Sequence, residues 1–202
     1  MSEPKIGRVL AASLHQAINE LIPTRLEFYE SWLTAGRIRE GEMGRARINA
    51  VISFLRQEGT AYDAVMERAG RYTASWTLDG HSVVKRALLR RLPRPIRMRV
   101  VLRVGARLVR RLHGDVWLQT AVRRGTAVVG IEGSMFCDVR SPAGVPLCRF
   151  YGAVLEGCLE SFGIPCRAQL FRCRGAGDTV CELVIETRRP GSGGDDAASL
   201  SG

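Results

Sequence analysis

Thiol chemistry is the clearest lead in this chain. All six cysteines fall between Cys137 and Cys181, and none precedes them. Ten residues separate Cys137 from Cys148, and seven separate Cys173 from Cys181. Thiolates are common ligands of structural zinc, which takes four nitrogen or sulfur donors in a tetrahedron. Cysteines that bind nothing behave as small hydrophobes and go to the interior. No CxxC pair is present, so spacing alone leaves both readings open. Met1-Ser-Glu-Pro-Lys lacks the apolar core of a signal peptide, and no apolar run reaches the roughly 18–20 residues that span a bilayer. The expected location is the cytoplasm, where thiols or metal ligands are favoured over disulfides.

Catalytic chemistry has thinner support. His15, His81 and His113 are too scattered to suggest a triad or relay. Arg174-Gly-Ala-Gly-Asp178 is glycine-rich, but a strand follows it, whereas a dinucleotide loop opens a helix. Neither a nicotinamide nor a flavin fingerprint accompanies it. A non-catalytic role is the expectation.

Charge is the second lead. The chain carries a net charge of +10, yet eleven basic residues and no acidic ones lie between Gly80 and Gly114. That leaves the rest with 19 basic residues against 20 acidic ones. Arg99, Arg103, Arg107 and Arg110 recur at helical spacing opposite an apolar stripe of Val101, Val104, Leu108 and Leu112. Such a face can be solvated, meet an acidic partner or anionic membrane, or bind phosphates. No recognition helix accompanies it, and nucleic acid is the weakest of these readings.

The elements that position these residues follow from periodicity. Hydrophobic residues make up 46% of the 202 residues and charged ones 25%, which describes a single soluble globule. Helical spacing predicts helices over Ile6–Leu21, Thr24–Trp32, Gly44–Gln57, Tyr62–Leu78, Val83–Leu92 and Pro95–Leu112. In the fourth, the expected inward stripe is Val65, Ala69, Tyr72 and Trp76. After Gly114 the period changes to two. Val116–Val122 and Thr126–Cys137 read as a hairpin turning at Arg123-Arg124-Gly125, and Arg167–Cys173 and Val180–Thr187 as another. Cys148–Phe162 returns to helical spacing between them. The expected fold is α+β: a helical N-terminal half on a four-stranded antiparallel sheet, with one helix crossing between two hairpins. Residues 1–188 form one domain, and 189–202, rich in Gly, Ser and Asp, a disordered tail.

Three segments then line up: a strand ending Ser134-Met-Phe-Cys137, a helix opening Leu147-Cys-Arg-Phe-Tyr-Gly-Ala153, and the hairpin Cys173-Arg-Gly-Ala-Gly-Asp-Thr-Val-Cys181. This resembles the 4-vinyl reductase domain, with the match strongest over residues 125–186. That family includes bacteriochlorophyll 4-vinyl reductase-like proteins and aromatic-sensing transcription activators. Its fold is related to small subunits of vesicle-tethering complexes. The resemblance implies zinc on Cys148, Cys173 and Cys181, with a glutamate three residues before the first hairpin cysteine. Leu170 stands at that position here, and Cys137 is the substitute ligand. Cys158 and Cys166 match nothing and are expected as core thiols.

The resemblance also implies a cavity for a hydrophobic small molecule between helices and sheet. Tyr72, Trp76, Trp117, Phe136, Phe150 and Tyr151 are the candidate lining residues, with plain core packing as the competing reading for each. The leading expectation is a sensor or carrier module that signals through a protein partner or a homodimer. A tetrapyrrole 4-vinyl reductase or its accessory, with arginines pairing propionates, is the enzymatic alternative. A tethering or interaction subunit is the third.

Overall fold

Glycine and proline punctuate the helical half. In the computed structural model, residues 7–34, 43–79, 89–139 and 141–187 are described, with the single positions 36, 38 and 87. Helix α1 (Arg8–Leu21) stops ahead of Pro23, which opens a single 3₁₀ turn into the short α2 (Leu26–Glu30). Helix α3 (Arg45–Leu55) ends in a 3₁₀ turn before Gly59, whose positive φ of 62° suits a residue without Cβ. Helix α4 runs Thr60–Asp79 and α5 Arg94–His113, the latter with Pro in its first turn, where the missing N–H costs nothing. Of the helix expected over 83–92, residues 83–86 and 88 lie outside the described residues, as do His81 and the tail from 188.

The second half is the expected sheet and crossing helix. Strands β1 (Trp117–Arg123) and β2 (Thr126–Glu132) form the first hairpin. Helix α6 (Arg149–Ser161) crosses over, and β3 (Cys166–Arg172) and β4 (Cys181–Thr187) form the second. All pairings are antiparallel, and the order across the sheet is β1-β2-β4-β3. The last strand therefore lies inside, with Val129 opposite Leu183 and Ile131 opposite Cys181.

Helix α6 is the centre of the molecule, with α4 and α5 on one side and the sheet on the other. Its fit depends on small residues. A Cβ on Gly70 of α4 would stand 2.6 Å from the Phe150 carbonyl oxygen and 2.7 Å from Ala153 Cβ. One on Gly157 would stand 2.7 Å from Ala74 Cβ. Toward the sheet, Gly152 faces Ala168. Several polar groups caught in these layers are paired, which offsets the cost of burial. Thr73 donates to Ser13, which donates to the Leu10 carbonyl. Glu156, buried on α6, accepts from the Ala168 N–H of β3 and from Arg71 of α4.

Two expectations change. Strand β2 ends at Glu132 and not at Cys137. Gly133 takes φ 69° and packs directly on the Asp115 carbonyl, where any Cβ would collide with the oxygen. Residues Met135–Cys137 then form one 3₁₀ turn. The inward face of α4 is also rotated: Tyr62, Val65, Met66, Ala69, Thr73 and Ala74 are buried, while Trp76 is 41% exposed and Tyr72 half-buried. The close approach to α6 is made at Gly70 and Ala74, and the larger rings lie at the rim.

Candidate functional site

Four thiols meet where the 3₁₀ turn, the start of α6 and the β3–β4 hairpin converge. Cys137 ends the turn, Cys148 precedes the first residue of α6, Cys173 follows β3 and Cys181 opens β4. Cys137 Sγ lies 3.0 Å from Cys148 Sγ, 3.3 Å from Cys173 Sγ and 3.5 Å from Cys181 Sγ. Cys148 and Cys181 are 3.8 Å apart, and all four sulfurs lie within 4.8 Å of one another. Three are buried and Cys137 is half-buried. None is in a disulfide.

The surroundings fix the sulfurs from several directions. The Leu147 N–H donates to Cys173 Sγ at 3.2 Å and the Arg174 N–H to Cys181 Sγ at 3.3 Å. Asp178 accepts from the Cys173 N–H, closing the hairpin loop over the site. Ser134 Oγ stands 3.3 Å from Cys148 Sγ. Distant elements hold the backbone: Arg56 donates to the Phe136 carbonyl at 2.8 Å, and Tyr62 to the Leu147 carbonyl at 2.9 Å. Hydrogen bonds from Cys137, Cys148 and Cys181, and from the Leu147 N–H, draw the Cys173 thiol down toward its thiolate. Cys158 is different. Burial alone pushes it up to about 12, and it packs in the core as expected, as does the buried Cys166.

The same short turn faces a second cluster. Phe136, Phe150 and Tyr151 are fully buried, with ring centroids 5.1 Å apart for Phe136–Phe150 and for Phe136–Tyr151. His113, the last residue of α5, lies against all three at 5.6–6.3 Å. Its Nδ1 is 2.8 Å from Met135 Sδ. A thioether only accepts, so Nδ1 carries the proton and Nε2 is left as a bare acceptor. That Nε2 is buried and has no hydrogen-bond partner among the described residues. Desolvation lowers the His113 pKa to about 4, so the ring is neutral at pH 7. The Tyr151 hydroxyl, with Ser134 beside it, also lacks a well-formed hydrogen bond. A buried imidazole nitrogen without a partner is costly unless something else meets it.

The six aromatic residues named from sequence thus fall in three places. Phe136, Phe150 and Tyr151 come together around His113. Tyr72 and Trp76 stack on each other at 5.1 Å on the rim of α4, where Tyr72 donates to Glu20. Trp117 is 51% exposed at the head of β1, with the Arg110 guanidinium 3.6 Å over its ring. Arg99, Arg103, Arg107 and Arg110 are all exposed on α5. Sequence reasoning passes over His113 as a site residue, because it weighs the three histidines against one another. The available signal is position: His113 follows Val109 by one helical turn on the buried side of α5.

Comparison with known proteins matches no protein-family model and no curated protein. Solved structures do match. An H-NOX protein from S. oneidensis, in the Fe(II)NO ligation state, is 13% identical over 91% of this chain and 100% of that one, with a TM-score of 0.61. A mutant H-NOX protein from K. algicida, Fe(II) and unliganded, is 13% identical over 92% and 98%, with a TM-score of 0.57. The phenol-responsive sensory domain of the transcription activator PoxR, with phenol, is 17% identical over 71% and 74%, with a TM-score of 0.48. No helix among the described residues is long and apolar enough to cross a membrane. The chain has the fold seen in the H-NOX structures.

Proposed function

We propose that this chain is a non-catalytic sensor or carrier of a hydrophobic small molecule, of the 4-vinyl reductase domain type, with a structural zinc on Cys137, Cys148, Cys173 and Cys181. The observation that carries the reading is the turn from Ser134 to Cys137. It gives Cys137 to the thiol cluster while Met135 and Phe136 wall the enclosure that holds His113.

The donor set fits zinc. Four sulfurs on one tetrahedral zinc at about 2.3 Å stand roughly 3.8 Å from one another. Four of the six spacings here are 3.0–3.8 Å, and all lie within 4.8 Å, which is close to that. The all-thiol set closes the coordination sphere, and the N–H donors to sulfur supply the outer hydrogen bonds such sites use. A bound zinc would contribute stability by tying turn, helix and hairpin together. Its role is structural, since no ligand position stays open for chemistry.

The buried aromatic cluster around His113 favours a ligand of a particular kind. Its walls are aromatic and apolar, and its unpaired acceptor is the Nε2 of a neutral imidazole. The ligand is therefore an apolar, ring-sized molecule with one O–H or N–H donor to meet His113. The H-NOX protein from S. oneidensis, which has the same fold, is described in an Fe(II)NO ligation state.

Elemental analysis of untagged protein, together with thermal shifts across apolar molecules with and without a hydroxyl group, tests both parts. The expected result is about one zinc per chain and stabilisation that grows with ligand concentration for hydroxyl-bearing members only. Zinc well below one per chain, or no shift for any member, overturns the corresponding part.

A further inference from the structure

The arginine face of α5 forms one wall of a groove whose other wall is an unpaired strand edge. The chain reverses at Gly114, where φ is 53°, so β1 runs back along α5. Between them lies a groove of about 210 Å³ lined by Arg103, Arg107, Arg110, Trp117, Leu118 and Thr120, among others. Strand β1 is at the end of the sheet and pairs only with β2. Its outer row of N–H and C=O groups meets no backbone partner among the described residues. An open strand edge is a template for a further strand.

The charges here are uncommitted. Other arginines of the chain are in ion pairs, such as Arg149 with Glu67 and Arg45 with Asp115. Among the described residues, no carboxylate lies within ion-pair distance of Arg103, Arg107 or Arg110. The Arg110 guanidinium stands 3.6 Å over the Trp117 ring, beside the same groove. Residues four apart on a helix rise about 6 Å. Alternate side chains of an extended strand repeat at about 6.6 Å. The Arg103–Arg107 step therefore matches the spacing of every second residue in a strand lying alongside β1.

From the open edge, the groove and the matched charge spacing, we infer that this face docks an extended acidic segment of a partner protein. The segment adds to the edge of β1, places carboxylates at alternate positions opposite Arg103 and Arg107, and rests an apolar side chain on Trp117. Main-chain hydrogen bonds supply the register, and charge complementarity selects the sequence and speeds encounter. A concave wall with strand backbone beside it suits a peptide better than a flat lipid surface.

The test uses the full chain and a fluorescein-labelled peptide of alternating Val and Glu, followed by anisotropy and by Trp117 fluorescence. Binding is expected to weaken several-fold in high salt, and by about tenfold or more in Arg103→Glu/Arg107→Glu. An alternating Val and Lys peptide should not bind. A Val and Glu peptide N-methylated at every second residue, with charge intact, should also lose binding, and this arm needs no protein variant. Equal binding of the methylated and unmethylated peptides overturns the strand-addition mode. No loss on charge reversal in a folded variant overturns the site. Binding to vesicles of anionic lipid or to duplex DNA, with none to the Val and Glu peptide, overturns the partner assigned.

Discussion

Cys137 Sγ stands 3.0 Å from Cys148 Sγ, although one thiol ends a single 3₁₀ turn and the other precedes α6 by one residue. Cys137 is also the half-buried member of the set, with the other three covered. Replacement by Ser keeps the volume and removes a strong thiolate donor. Cys137→Ser should reduce bound zinc well below one per chain and lower the Tm by roughly 10 °C, about 3 kcal/mol at this chain length. Cys158→Ala should leave zinc content unchanged, because Cys158 lies in the core away from the cluster. Metal content by mass spectrometry under native conditions, paired with calorimetry, separates the two outcomes.

His113 sets a pH dependence whose sign is fixed by burial. Its ordinary pKa is 6.5 and the folded value is about 4, so the unfolded chain binds the extra proton first as pH falls. Stability from this group is fully present above pH 6.5, declines between 6.5 and 4, and is constant below that. The span of the decline is about 3 kcal/mol. Denaturation of the wild type and His113→Gln across the range from neutral pH to about 4 should give curves that converge on acidification. Parallel curves would show that burial does not lower the His113 pKa in the fold.

Gly70 predicts a steric result. An added methyl would meet the Phe150 carbonyl oxygen, a backbone atom that cannot rotate away. Gly70→Ala should therefore force α4 and α6 apart and destabilise by about 1–3 kcal/mol, despite a gain in helix propensity. Gly36, with nothing within 4 Å of its Cβ position, is the matched control, and Gly36→Ala should be close to neutral. Thermal denaturation of the pair is sufficient.

Glu156 joins three elements from one buried carboxylate. In Glu156→Ala the Ala168 N–H loses its acceptor, and Arg71 retains Glu67 and Glu160. A loss of roughly 2–4 kcal/mol is expected, since a buried donor is left unpaired as well as a charge-assisted bond removed. Glu156→Gln keeps an acceptor oxygen and should lose less than half as much. Equal losses would mean that the charge, and not the hydrogen bond to β3, is what matters. Urea unfolding of both variants gives the comparison.

Periodicity makes the element order and the sheet legible, and Pro23, Gly59 and Pro95 mark most helix ends within a few residues. Two differences share a cause. Size and hydropathy place Tyr72 and Trp76 inward only when they are read without the small residues beside them. Gly70 and Ala74 are what bring α6 to backbone distance, and that contact rotates the larger rings outward. The end of β2 escapes a reading by residue type because Thr126–Cys137 is rich in β-branched residues. The decisive position is Gly133, whose backbone only a glycine fits against Asp115. The convergence of four cysteines is not legible in spacing, since it requires Arg56 and Tyr62 to hold the Phe136 and Leu147 carbonyls from 80 and 85 residues away.

Strand β4 lies between β2 and β3 yet follows both in the chain. On the ribosome, the first hairpin and α6 emerge with no continuous sheet to rest on, and β3 has no strand to pair with. The sheet then closes in one late insertion, which also delivers Cys181, the final thiol. A zinc held by all four thiols would consequently be captured only once β4 is in place, and a form clipped before Cys181 would lack the fourth donor.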